Sequence, residues 1–330
     1  MTVHARVDDA RIEALVVGVR ARRVRDVARA ITMVENQSSE GRALMEALAS
    51  DTPRRSRTIG LTGAPGVGKS TMTAALIAAF RERGSSVGVL AVDPSSPFSG
   101  GALLGDRIRM QSHSADPDVF IRSMASRGHL GGLAAAAGQV LRVYDAAGFD
   151  VVLIETVGVG QSEVEIAAAA DTTVVLLAPG MGDGIQAAKA GILEIGDVFV
   201  VNKADREGAQ STARDLRQMI AVANDAGAHA WTPPVETAVA STGEGIERVV
   251  SAIDAHYDWA QGSGELEARR MSRAREEIIS EMLRAVRSQV SDGSVAEALS
   301  TWASSVASGH STVSKAAEEI LTRLRGDDDG

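Results

Sequence analysis

The chain has 330 residues, 45% of them hydrophobic, and a formal charge of −9 at pH 7. That length supports about two domains with buried cores, and the acidic balance excludes nonspecific nucleic-acid binding, which needs a basic surface to displace counterions. Cysteine is absent, which excludes disulfides and thiolate metal sites and fits a reducing compartment.

Residues 1 to 57 read as a helical extension. Ile12, Leu15, Val16, Val19, Val24, Val27 and Ile31 recur at helical spacing, Ala43 to Leu48 continues after a polar break, and Ser50-Asp51-Thr52-Pro53 forms a linker. The opening MTVHARVDDARIEAL carries charges where a secretory leader needs an apolar run, and no segment reaches about 18 uninterrupted apolar residues. A cytoplasmic protein with no membrane contact is therefore expected. Arg20, Arg22, Arg23, Arg25 and Arg29 form a local basic cluster, either a solvated helix face or a dock for an anionic partner.

Residues 58 to 260 change to apolar strands alternating with Ala-rich helices, which predicts an α/β domain with a doubly wound, mostly parallel sheet covered on both faces. The expected strands are Thr58 to Thr62, Val87 to Val92, Val151 to Ile154, Thr173 to Leu177, Val198 to Val201 and Val235 to Ala238. Beyond the Gly262-Ser263-Gly264 hinge, residues 261 to 330 read as a helical region. Its helices are expected up to Val290, over Val295 to Val306 and over Val313 to Arg325. Leu266, Met271, Ile278, Ile279, Met282, Leu283, Val286 and Val290 give the first of them a long apolar stripe that must be buried.

After the first strand comes GAPGVGKST: Gly63, Ala64, Pro65, Gly66, Val67, Gly68, Lys69, Ser70 and Thr71. The spacing matches the phosphate-binding loop GxxxxGK[ST], in its required place between strand and helix. The glycines let successive backbone N–H groups turn inward, Lys69 places a point charge on the β- and γ-phosphates, and Ser70 offers a hydroxyl to Mg²⁺. The helix expected to begin near Thr71 and to stop at Gly84 aims its positive dipole end at the nucleotide.

Three further segments extend the site. VVLIETVGVG puts Glu155 at a strand end, followed by Gly158, in the arrangement of a Walker-B carboxylate and a γ-phosphate-sensing glycine. Glutamate in place of the usual aspartate leaves two roles open, metal ligation through water or orientation of an attacking water. Asp93 ends another strand, where ligands bind in open α/β sheets, and Asp106 sits on a Gly-rich loop; both are candidate metal ligands. VVNKAD supplies Asn202, Lys203 and Asp205, the guanine-reading pattern NKxD, in which the aspartate accepts two hydrogen bonds from guanine that adenine cannot give.

GAPGVGKST, AVDPSS, LLGDR, IRSMASRGHLGGL, ETVGVGQSE and VVNKAD, in this order, resemble the MeaB/ArgK type of P-loop GTPase, which includes the methylmalonic aciduria type A protein. The resemblance spans about residues 10 to 260. It implies a GTPase that binds GTP/GDP with Mg²⁺ and acts as a chaperone of adenosylcobalamin-dependent acyl-CoA mutases, methylmalonyl-CoA mutase above all. It would gate cofactor loading, protect the mutase, and form a homodimer through its C-terminal helices. It further implies that Ser70, Asp93, Asp106 and Glu155 surround the metal, that Lys69, Asp106 and Glu155 serve hydrolysis, and that Arg122 to Leu133 is a mobile coupling segment. Val239-Ala240-Ser241 stands where the family usually has Ser-Ala or Ser-Gly, so which backbone N–H meets the base oxygen stays open. Arg107, Arg122 and Arg127 are candidates for the positive charge beside the γ-phosphate. Three rival readings stand beside this one, and the third, a pure binding switch that barely hydrolyses GTP, is separated from an enzyme only by kinetics. A transport-associated ATPase or kinase, after the arginine/ornithine transport label carried by relatives, is opposed by NKAD. A nickel metallochaperone GTPase is opposed by six scattered histidines and no cysteine.

Overall fold

The computed structural model describes residues 3–36, 38–49, 56–94, 115–126, 132–156, 169–180, 192–225, 230–291 and 293–326. Asp106, Gly158, Arg107 and Arg127 lie outside them, as does the side chain of Asp93.

Helices α1 (Val3–Arg20), α2 (Val24–Glu35) and α3 (Ser39–Ala49) precede strand β1 (Arg57–Thr62) and helix α4 (Lys69–Glu82). The chain continues through β2 (Val87–Pro94), β3 (Val119–Ser126), α5 (Gly132–Ala146), β4 (Val151–Thr156) and β5 (Thr172–Leu177). Then follow α6 (Ile192–Ile195), β6 (Val198–Asn202), α7 (Ala209–Asp225), β7 (Val235–Ala238), α8 (Ile246–Ser263) and α9 (Glu265–Ser291). Helices α10 (Gly293–Ala307) and α11 (Val313–Gly326) complete the described elements.

All pairings in the seven-stranded sheet are parallel, in the order β3-β2-β4-β1-β5-β6-β7. The central strands are apolar on both faces, as a parallel sheet covered by helices requires. On one face Ile59, Leu61, Val89 and Leu153 pack against Leu76, Ile77 and Phe80 of α4 and Val249, Val250 and Ile253 of α8. On the other, Leu90, Val152 and Ile154 meet Val140 and Tyr144 of α5. Val19, Val27, Ile31 and Leu44 of the first three helices belong to that same core, so the N-terminal extension is an outer layer of the sheet domain. The positions Val27, Ala30, Ile31 and Val34 of α2 recur at helical spacing, which is why one stripe of this helix is buried.

Strand β3 is an addition to the six expected. Arg122 to Ser126, read from the resemblance as part of a mobile segment, pair with β2 from Leu90↔Arg122 to Pro94↔Ser126. The charge in the middle of VFIRSMAS hides the strand pattern. Tertiary contact explains it: Arg122 Nη2 donates to Glu35 Oε2 at 2.6 Å and to Thr32 Oγ1 at 3.1 Å, both on α2. Its guanidinium is thereby committed to the N-terminal layer rather than to the phosphate edge, which removes Arg122 as the positive charge for the γ-phosphate.

The chain divides into two compact units, Met1–Arg273 and Ala274–Gly330. In the second, Val295, Ala298 and Ile320 form a small core of α10 and α11, with Val290, Trp302 and Leu324 packed on it. In the first, the start of α9 is fastened by charge. Arg270 Nη2 bonds Asp171 Oδ2 at 2.8 Å, Arg273 also pairs with Asp171, and Arg269 binds Asp197 through two hydrogen bonds of 2.8 and 3.0 Å. Both aspartates are buried. Burial pushes each carboxyl up, but in Asp171 the hydrogen bonds and charges of Arg270 and Arg273 outweigh it, and in Asp197 those of His256 and Arg269 do, so both sit below the ordinary carboxylate value. No described helix is long and apolar enough to cross a membrane.

Candidate functional site

Those of the residues singled out in the sequence that the structure describes converge on the carboxyl edge of the sheet. Gly63 follows β1, and the neighbouring strand brings Glu155 beside it through the register Leu61↔Glu155. Asp93 belongs by its backbone to the end of β2, opposite Ala125. Asn202 ends β6 opposite Ala238 of β7. In an open α/β sheet this edge, where strand order changes direction around β1, is where ligands bind.

Backbone conformation explains the glycines at two points. Gly63 has φ +141°, and a Cβ there would lie 2.3 Å from the carbonyl oxygen of Leu176 on β5. Gly68 has φ +97°, and a Cβ there would meet Asn202 Nδ2 at 2.6 Å. No other residue type suits both the left-handed dihedrals and the space. Pro65 and Gly66 are exposed at the tip, Ala64 and Thr71 are half-buried, and Val67 is anchored in the core beneath. Helix α4 begins at Lys69, two residues before the expected start, so its first turn carries the lysine and Ser70 themselves. The Lys69 ammonium donates to the carbonyls of Gly63 at 2.5 Å and Ala64 at 3.3 Å, which holds the charge across the loop.

Glu155 is 1% exposed. Its Oε1 accepts a hydrogen bond from Ser70 Oγ at 2.5 Å and its Oε2 one from Thr73 Oγ1 at 2.9 Å. The carboxylate is thus tied to the same hydroxyl that the loop motif assigns to a cation. Hard oxygen donors of this kind suit Mg²⁺, so the described part of the donor set fits the ion. Among the described residues no group of three or more His, Asp or Glu side chains forms a metal cage.

The NKAD segment is a brace. Asn202 is buried; its Nδ2 donates to the carbonyl of Val67 in the phosphate loop at 2.9 Å, and its Oδ1 accepts the N–H of Ala240 at 3.1 Å. Lys203 Nζ reaches the carbonyl of Gly66 at 2.6 Å, and the N–H of Ala204 donates to Ala238 at 3.1 Å. Lys203 holds φ +56°, a left-handed conformation that a non-glycine residue adopts at some cost and that such sites commonly contain. Three loops are therefore locked together, with Asp205 and Ser241 exposed beside them and Val239 buried. In the Val239-Ala240-Ser241 turn the N–H of Ala240 goes to Asn202 at 3.1 Å and that of Val239 to the carbonyl of Glu244 at 2.9 Å.

Thr73 and the arginines of α9 were not legible as site or anchor residues. Thr73 lies two residues beyond the loop motif, and only the folded distance to Glu155 reveals it. In sequence the arginines read as part of the charged face of a helix, and only burial of Asp171 and Asp197 distinguishes them.

A parallel sheet whose first strand feeds a glycine-rich loop onto the N-terminus of a helix, with lysine and serine in the first turn, defines a P-loop protein. Residues 27–296 match the family model described as methylmalonyl Co-A mutase-associated GTPase MeaB, and the chain belongs to this family. A putative GTPase of Pyrococcus abyssi is 49% identical over 255 residues, 77% of this chain and 78% of the relative. A probable GTPase of Mycobacterium tuberculosis is 42% identical over 270 residues, 80% of each chain. The mouse protein named methylmalonic aciduria type A homolog, mitochondrial, is 35% identical over 261 residues, 74% of this chain and 63% of that one. Among solved structures, that of a LAO/AO transport system kinase matches with a TM-score of 0.68 at 25% identity, covering 96% of this chain and 98% of the other.

Proposed function

We propose that the protein is a slow, partner-stimulated GTPase that gates adenosylcobalamin loading of an acyl-CoA mutase, most plainly methylmalonyl-CoA mutase, and protects it. The observation that carries the nucleotide part is the brace at Asn202. By tying the phosphate loop to the Val239-Ala240-Ser241 turn, it presents Asp205 and Ser241 at the same sheet edge as Lys69. A carboxylate and a backbone N–H so placed complement the N1–H, amine and carbonyl of guanine; adenine would leave the carboxylate unpaired.

In this reading Gly63 to Thr71 hold the phosphates, Lys69 adds a point charge, and Ser70 and Glu155 hold Mg²⁺, with Asp93 and Asp106 as further ligands and Gly158 beside the γ-phosphate. Bound Mg²⁺ supplies neutralisation of phosphate charge. The chain's own part is to position and desolvate: Glu155 keeps Ser70 oriented, and Asn202 and Lys203 keep the loop closed on its ligand. Turnover alone is expected at about 10⁻⁴ to 10⁻² s⁻¹, as in unassisted switch GTPases. The partner part rests on the family's description as mutase-associated. A homodimer through α9 is supported by the exposure of Met271, Ile278, Met282 and Leu283, each above half its surface, since such a stripe needs cover. The cytoplasm is the proposed location.

The test is GTP hydrolysis by the purified protein with and without the mutase of the same organism, with ATP as competitor. Stimulation by the mutase, displacement of labelled GDP by GTP but not ATP, and loss of stimulation in Glu155→Gln with nucleotide still bound are expected. Equal displacement by ATP overturns the guanine assignment. No nucleotide-dependent effect on mutase lifetime or on hydrolysis overturns the chaperone assignment.

A further inference from the structure

We infer that Thr73, which the phosphate-loop motif does not require, is a positioning residue for the divalent-cation site, acting through Glu155. The inference rests on the nucleotide reading above. Ser70 and Thr73 are three apart on α4, so their hydroxyls share one face of the helix a turn apart. Glu155 spans both, with Oε1 on Ser70 and Oε2 on Thr73. This double grip gives a reason for glutamate at a strand end where switch proteins generally carry the shorter aspartate: the extra methylene lets one carboxylate reach two helix positions.

Thr73 is fully buried, and its Oγ1 lies 2.9 Å from Glu155 Oε2 and 3.1 Å from the carbonyl of Lys69. A hydroxyl has one proton to give. Donation to a buried carboxylate is charge-assisted and stronger than donation to a carbonyl that already serves the helix ladder, so the proton belongs to Glu155. Fixing Oε2 fixes the plane of the carboxylate. That in turn keeps Oε1 on the Ser70 hydroxyl. Outer partners of metal ligands act in this way by orienting the ligand rather than by touching the ion.

The experiment compares full-length wild type, Thr73→Val and Thr73→Ser. Valine keeps the branched shape and removes the proton; serine keeps the proton and removes a methyl. Fluorescent GDP is bound first with the cation chelated, which reads nucleotide affinity and folding. Mg²⁺ is then titrated while the dissociation rate of the GDP is followed. Thr73→Val is expected to bind GDP without Mg²⁺ as wild type does, and to need about 10- to 100-fold more Mg²⁺ to slow its release, the usual cost of removing an outer partner of a metal ligand. Thr73→Ser is expected to lie within about threefold of wild type, since it retains the charge-assisted donor. An unchanged Mg²⁺ midpoint in Thr73→Val overturns the inference, and so does a serine variant as impaired as the valine variant, which would assign Thr73 to packing. A wild-type protein that takes up no GDP overturns the nucleotide reading itself, and this inference with it.

Discussion

Replacing Asn202 by alanine tests whether the three loops of the site are one device. The side chain satisfies two buried backbone groups, the carbonyl of Val67 at 2.9 Å and the N–H of Ala240 at 3.1 Å. Alanine strands both. A buried polar group left without its partner costs about 1–3 kcal/mol, so the closed arrangement loses about 2–6 kcal/mol. Without nucleotide the loops can relax toward water and recover much of that loss. Binding must close them again, so the cost falls on affinity. At about 1.4 kcal/mol per decade the lower bound corresponds to about 30-fold weaker GDP binding. Asn202→Asp is the sharper companion. It keeps the acceptor for Ala240 but sets a carboxylate against the carbonyl of Val67, so it should bind no better than alanine. Titration of fluorescent GDP into each variant measures the effect, and hydrogen exchange at Val67 and Ala240 reports the loops directly. An Asn202→Ala protein that binds GDP within about threefold of wild type would refute the brace, because two stranded groups cannot cost less than about 0.7 kcal/mol between them if they are buried in the bound state.

Two further outcomes follow from the anchoring of α9. Asp171→Asn removes one partner of a buried ion pair and should cost about 3–5 kcal/mol in denaturant titrations near pH 7. The wild-type carboxyl sits below its ordinary value because Arg270 and Arg273 overcome the upward push of burial. Its contribution is therefore present above the unfolded value, about pH 4, and is lost as pH falls through the lower folded value. The stability gap between wild type and variant should accordingly be full above about pH 5 and shrink below about pH 4; a gap that widens in acid would contradict the assignment. A chain ending after Arg273 keeps Arg269, Arg270 and Arg273 on Asp197 and Asp171 while losing Ile278 to Val286. It should bind GDP like the full chain and scatter light as a monomer, whereas a chain ending at Gly262 should be destabilised because two buried carboxylates lose their arginine partners. Unchanged mass on truncation after Arg273 would exclude the exposed stripe as a dimer surface.

Much of the fold is written locally. Strands β1, β2, β4, β5 and β6 announce themselves because a parallel sheet covered on both faces needs predominantly apolar runs, a signal independent of partners. The phosphate loop is equally local: its glycines answer to dihedrals set within a few residues. Even so, Gly63 and Gly68 are required for a second reason that sequence does not hold, the approach of Leu176 and Asn202 from distant strands. Strand β3 escapes sequence reading because Arg122 is tolerated in it only through Glu35, 87 positions away. The same holds for function. The residue types of a GTP site, and the family resemblance that gathers them, are legible in GAPGVGKST, ETVGVG and NKAD. That Asn202 serves the loops, that Glu155 grips Thr73 as well as Ser70, and that three arginines of one helix neutralise two buried aspartates are decisions of the tertiary structure. Each depends on burial, which raises the cost of an unpaired polar group until a particular partner becomes obligatory, and burial is a property of the folded chain that no local stretch of sequence encodes.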